Sequence, residues 1–125
     1  MRVLDASVVV ELLVGGLDPD RLGDEELAAP HLIDSEVTNV LRKLTLRRFV
    51  SDTQATLALN GFAQLILTRY PVYSFLPRMW ELRHNLSAYD ATYVALAEAL
   101  GATALLTTDA RLAQAHGVLC RVEVI

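Results

Sequence analysis

The sequence predicts an α/β layer fold built on a mostly parallel sheet, and three observations carry that expectation. Short apolar runs alternate with segments of helical periodicity along the whole chain. The chain has 125 residues, 53% of them hydrophobic, enough to fill the interior of one domain and too few residues for two. No internal repeat or low-complexity tract breaks the alternation. Residues 1–125 are therefore expected to form a single domain.

Arg2 to Asp5 reads as the first strand, and Ala6 to Val14 as a helix entered through Asp5-Ala6-Ser7 and stopped by Gly15-Gly16. An acidic, turn-rich surface follows from Asp18 to Glu26, and Leu27 to Ala29 reads as a brief second strand. Pro30 is expected to open a longer helix, because Ile33, Val37, Val40, Leu41 and Leu44 recur at helical spacing between His31 and Arg48. Ser51 or Asp52 caps another helix that runs to about Ile66. Tyr70 to Tyr73 reads as an edge strand, and Arg78 to Arg83 as helical. Phe62, Phe75, Met79 and Trp80 are read as core or interface residues, with the core favoured. Tyr89 to Leu100 is apolar nearly all round and ends at Gly101, which predicts a helix buried between layers. Ala102 to Thr107 reads as a buried strand, Ala110 to Ala115 as a short helix, and Val118 to Val124 as the last strand. The predicted order is β-α-β-α-α-β-α-α-β-α-β.

Composition removes several function classes. A single cysteine, Cys120, excludes a disulfide scaffold and a thiolate zinc site. Asp5 and Glu11 cut the first apolar stretch, so neither a signal-peptide core nor a membrane span is expected, and the chain reads as cytoplasmic. The net charge of −4 argues against a protein that holds nucleic acid by bulk charge. Its distribution is uneven: residues 1–40 hold nine acids and two bases, whereas the remainder holds six acids and nine bases.

Parallel sheets place their sites beyond the carboxyl ends of the strands, so acids that follow predicted strands are the first candidates. Asp5 and Asp109 qualify, although an Asp between strand and helix also serves as an N-cap. Asp90 lies in the first turn of the most apolar helix, where Ser87-Ala88-Tyr89-Asp90 resembles a capping box. Glu36 lies about a turn inside its helix, too deep for a cap. Lys43 and Arg47 follow it by seven and eleven positions, on nearly the same side of the helix. If these four acids converge, their repulsion calls for a cation. All-oxygen ligands without a thiol pair or His-x-x-x-His spacing select Mg²⁺ or Mn²⁺ over zinc.

Val3-Leu4-Asp5-Ala6-Ser7, Ala29-Pro30-His31-Leu32 with Glu36-Val37-Thr38-Asn39-Val40-Leu41, Tyr89-Asp90-Ala91-Thr92-Tyr93-Val94-Ala95-Leu96-Ala97-Glu98, and Leu106-Thr107-Thr108-Asp109 occur in the order seen in PIN domains. Across nearly its whole length the chain resembles the VapC-type toxin ribonucleases of that family. The resemblance implies a three-layer α/β/α sandwich whose acidic pocket binds Mg²⁺ or Mn²⁺ and hydrolyses RNA. It carries Asp5, Glu36, Asp90 and Asp109 over as metal-binding acids, Ser7 and Thr107 as polar residues that assist metal or water placement, and Asn39 as a residue near the pocket. It also implies a homodimer silenced by a small DNA-binding antitoxin. Arg42, Lys43, Arg47 and Arg48 are the candidates for tracking the RNA backbone. Two alternatives are a catalytically silent PIN-like RNA-binding or interaction protein and a phosphoreceiver domain. The latter is disfavoured, because receivers pair two acids after the first strand and place a lysine after a late one, whereas Lys43 is the only lysine here.

Overall fold

A computed structural model describes residues 1–125. Its elements are β1 (Arg2–Leu4), α1 (Ala6–Val14), β2 (Leu27–Pro30), α2 (Leu32–Leu46), α3 (Asp52–Gln64), β3 (Thr68–Tyr70), α4 (Leu76–Glu81), α5 (Ala88–Leu100), β4 (Ala104–Thr107), α6 (Ala110–Gln114) and β5 (Val122–Val124). This is the predicted order. The five strands form one sheet in the order β3-β2-β1-β4-β5, every pair parallel rather than mostly so. Val3, Leu4 and Leu105 and Leu106 have no exposed surface, as expected for central parallel strands covered on both faces.

The chain builds outward from β1 in one direction to β3, then crosses back to β4 and β5. Right-handed crossovers therefore put α1, α2 and α3 on one face and α5 and α6 on the other. Within those layers α1 packs on α2 and α3, and α4 packs on α5. A contiguous cluster of 26 buried residues joins both layers to the sheet. The reversal of strand order falls between β1 and β4, which makes the crevice beyond their carboxyl ends the switch point of the sheet.

Several boundaries differ from expectation for identifiable reasons. Pro30 ends β2 instead of opening a helix: it pairs only with Tyr70 of β3, beyond the reach of β1, so its missing N–H breaks no ladder bond toward the centre. The third strand lies two residues earlier than Tyr70 to Tyr73, since Pro71 cannot extend it and Tyr73–Phe75 form a 3-10 turn. The last strand is confined to Val122–Val124, because Leu119 N–H is drawn away to Glu98 Oε2 at 2.8 Å. Trp80 is not a core residue. It is 67% exposed on the outer side of α4, under the Arg83 guanidinium at 4.5 Å, while Met79 and Phe75 pack inward and Phe62 is buried.

Candidate active site

Of the helices that begin at the carboxyl edge of the sheet, α1, α5 and α6 are each capped by a local side chain, whereas α2 is not. Asp5 caps α1, accepting from Ser7 N at 2.9 Å and Val8 N at 3.3 Å. Asp109 caps α6 through Arg111 N at 2.9 Å. Ser87 caps α5, its hydroxyl accepting from Asp90 N at 3.2 Å. Only this first half of a capping box forms, so the Asp90 carboxylate is not committed to the backbone. Each capping acid thus also projects toward the switch point.

There Asp5, Ser7, Glu36, Asp90, Tyr93 and Asp109 line a common cavity of about 320 Å³. All four predicted acids share it, brought from β1, α2, α5 and the end of β4. Ser7 lines it too. Thr107 stands behind Asp5, fully buried, its hydroxyl donating to Asp5 Oδ2 and accepting from Asp109 N at 3.0 Å. Ser7 Oγ donates to Asp5 Oδ1 and accepts from Thr108 N at 3.1 Å. Two hydroxyl relays therefore tie both oxygens of Asp5 to the turn after β4.

The carboxylates differ in environment. Burial pushes the Asp5 carboxyl up, partly countered by its bonds from Ser7, Thr107 and Val8. Desolvation, then repulsion from Asp5 and Asp90, raises Glu36, while the Tyr93 hydroxyl at 2.6 Å from Oε1 opposes the rise. Asp90 stands at the open rim, and partial desolvation followed by Asp5 and Asp109 raises it as well. Asp109 is held below the usual carboxylate range by the Arg111 guanidinium, which meets both of its oxygens at 3.2 Å.

The cavity is short of positive charge: five acids, the four above and Glu11 of α1, line it, no arginine or lysine does, and the nearest guanidinium is that of Arg111 beside Asp109. No three carboxylate, imidazole or thiol groups are gathered tightly enough to grip an ion in this arrangement. The donor set nonetheless fits a hard divalent cation, because it is all oxygen and two of its members, Glu36 and Asp90, are destabilised by the charge of neighbouring carboxylates. His84 and His116 are exposed and Cys120 lies elsewhere, so soft ligands take no part.

The predicted basic track is not at the cavity. None of Arg42, Lys43, Arg47 and Arg48 lines it. Arg42 lies in the groove between α2 and α3 with Thr38, Thr45 and Asp52, and Arg48 adopts a left-handed conformation beside Phe49. Lys43 is exposed farther along α2, and Arg47 is exposed just past its end. Asn39 is exposed on α2 and does not line the cavity either. Glu11, Tyr93 and Arg111 were missed, and Glu11 lines the cavity from α1, six positions after Asp5. Tyr93 follows Asp90 by three positions and therefore shares its helix face, a signal the sequence did contain. Arg111 sits two positions after Asp109, where no helical spacing points it out.

An all-parallel α/β sandwich with a carboxylate cavity at the switch point of its sheet defines the class of fold. The particular family follows from comparison: the PIN domain family model matches residues 2–118, and the chain belongs to the PIN-domain family. It is 43% identical over 126 residues to Ribonuclease VapC9 of Mycobacterium tuberculosis, covering 100% of this chain and 98% of that protein. It is 41% identical over 136 residues to Ribonuclease VapC1 of the same organism, covering 98% of this chain and 96% of the relative. Among solved structures, PAE2754 from Pyrobaculum aerophilum superposes with a TM-score of 0.68 at 27% identity, covering 98% of this chain and 83% of the other. The resemblance read from four short motifs extends over the whole fold.

Proposed function

We propose that this chain is a Mg²⁺- or Mn²⁺-dependent endoribonuclease, the toxin of a type II toxin–antitoxin pair. The observation that carries this reading is the convergence of Asp5, Glu36, Asp90 and Asp109, from four different elements, on one cavity at the switch point. These four residues would hold the ion, which when bound supplies a lowered pKa for water and charge to offset that of the phosphodiester oxygens.

The chain's own residues supply the rest. Asp5, the most deeply placed acid, is fixed through both oxygens by Ser7 and Thr107. Ser7 is not a nucleophile, because its hydroxyl proton is given to Asp5 and no imidazole lines the cavity to act as its base. Water is the attacking group. Arg111, 92% exposed at its side chain beside Asp109, is placed to meet a substrate phosphate at the cavity mouth. Lys43 and Arg47 extend the RNA path along α2, away from the cavity.

The same reading gives the protein RNA as substrate, a second copy of itself and a VapB-like antitoxin as partners, and the cytoplasm as its compartment. Exposed Leu46, Phe49 and Leu57 on one side and Tyr73, Leu76 and Trp80 on another provide apolar surface for such contacts. No helix is long and apolar enough to cross a membrane.

Incubation with total RNA tests the proposal. Purified wild type should cleave with Mg²⁺ or Mn²⁺ and stop on chelation, and folded Asp5→Asn or Asp90→Asn should lose orders of magnitude in rate. Undiminished cleavage by either variant refutes the assignment, and absence of cleavage under all metals favours a silent RNA-binding protein on the same fold.

A further inference from the structure

Glu36 differs from the other acids in what holds it. Asp5 is fixed by two backbone N–H groups and two hydroxyls, and Asp109 by a guanidinium and a backbone N–H. Glu36 has a longer side chain, with three rotatable bonds and correspondingly more freedom to lose on binding an ion. Its single hydrogen bond comes from the Tyr93 hydroxyl, at 2.6 Å to Oε1. Glu36 rises from α2 and Tyr93 from α5, 57 positions later, so no local geometry brings them together.

Tyr93 is built to be a rigid donor. Its residue is 2% exposed, set in a stretch of α5 in which Ala91 through Ala97 are all buried. A ring in such packing cannot change rotamer without disturbing the core. Phenylalanine would fill the same space without having to satisfy a buried hydroxyl, so the oxygen is explained by its partner. With Oε1 engaged by Tyr93, Oε2 has no hydrogen-bond partner in the chain. A carboxylate pinned at one oxygen and free at the other is preorganised to receive a ligand at the free one.

We propose that Tyr93 is a positioning residue of the site, holding Glu36 in place for the divalent ion across the α2–α5 boundary and thereby setting the affinity for that ion. This rests on the metal-dependent reading above. The alternative is that the contact merely seats a tyrosine hydroxyl in the core, in which case its loss leaves the ion's affinity unchanged.

Calorimetric titration of the whole chain with Mn²⁺ separates the two, using wild type, Tyr93→Phe, Glu36→Ala and the double variant. Tyr93→Phe should weaken Mn²⁺ binding about 10- to 100-fold, the range for removal of a group that orients a ligand. In the Glu36→Ala background the same change should have no further effect, because Tyr93 then has no carboxylate to hold. In cleavage assays the half-saturating Mn²⁺ concentration should rise by the same factor while kcat at saturating Mn²⁺ stays near wild type. Wild-type Mn²⁺ affinity in Tyr93→Phe, or an undiminished effect in the Glu36→Ala background, overturns the proposal and leaves the metal reading standing. A wild type that binds neither Mn²⁺ nor Mg²⁺ overturns both. Melting temperatures in chelator serve as the folding control, and the double variant keeps the test decisive if Tyr93→Phe alone is destabilised.

Discussion

Replacing Thr107 with valine tests how Asp5 is held, because valine keeps the buried shape and removes the hydroxyl. That hydroxyl makes two bonds in a position with no exposed surface: it donates to Asp5 Oδ2 and accepts from Asp109 N at 3.0 Å. A hydrogen bond to a charged group contributes about 1.5–3 kcal/mol, and an N–H left unpaired costs about 1 kcal/mol or more. The expected loss is therefore about 2–4 kcal/mol, a fall of roughly 8–15 °C in melting temperature for a domain of this size. Ser7→Ala removes a comparable pair of bonds with a smaller effect, about 1 kcal/mol. Asp5 Oδ1 keeps its bonds from Ser7 N and Val8 N, and the exposed Thr108 N–H turns to water.

The loss also has a definite pH dependence. The Thr107 bond lowers the Asp5 carboxyl, so removing it raises the folded-state value further above that of the unfolded chain. A raised carboxyl is a liability only while ionised. The deficit of Thr107→Val should be greatest at neutral pH and shrink as Asp5 becomes protonated on acidification. Urea unfolding of wild type and both variants in chelator, between pH 4 and pH 8, measures all three quantities. Thr107→Val within about 0.5 kcal/mol of wild type, or indistinguishable from Ser7→Ala, would refute the buried relay.

Mn²⁺ at a hundredfold excess over its Kd should stabilise wild type by about 2.7 kcal/mol. Asp109→Asn should change chelated stability by less than about 1 kcal/mol, since Asn also caps α6 and the Arg111 pair is exposed, yet it should shrink the Mn²⁺-induced shift. An undiminished shift, read by thermal melts, removes Asp109 from the ion's ligands. For Glu36, whose carboxyl is raised above its ordinary 4.5, ionisation costs the fold stability that is present at low pH. In chelator, Glu36→Gln should therefore be more stable than wild type at pH 7 and equal to it below about pH 4, and denaturation curves with the opposite trend would contradict the assigned repulsion. Arg78 bonds Glu98 Oε1 at 2.7 Å and Gly117 O at 2.6 Å, joining α4 and α5 to the loop before β5. Arg78→Met should cost about 2 kcal/mol in unfolding experiments without altering RNA cleavage at 20 °C, because Glu98 is left largely buried without its cation.

The element order could be read from the sequence because its strongest signals are local. Val3-Leu4 and Ala104 to Thr107 are short apolar runs with an acid at or near their carboxyl ends, and Gly101 stops α5 in the left-handed conformation that its position suggested. The boundaries that moved depend on partners the sequence does not display. Pro30 is a strand residue because β1 ends before reaching it, and Trp80 is exposed because α4 presents only one face to α5. Neither fact is encoded within a few residues of the position concerned.

The same division runs through the site. Asp5 and Asp109 could be found because a strand end is a place, marked in sequence by the switch from apolar run to helix cap, and a parallel sheet gathers such places on one edge. The basic residues were misplaced because helical periodicity gives direction and not distance. Lys43 does follow Glu36 on nearly the same face, but seven residues at 1.5 Å each carry it about 10 Å along the axis and out of the cavity. Tyr93 was hidden for the converse reason: its relation to Asp90 is local, whereas its bond to Glu36 crosses between helices from opposite layers. Arg111 reaches Asp109 across a helix cap, where side chains two positions apart meet although within a helix they would not. Strand ends and helix faces therefore identify which acids can converge. The groups that hold those acids in register come from pairings between elements, and only the folded chain supplies them.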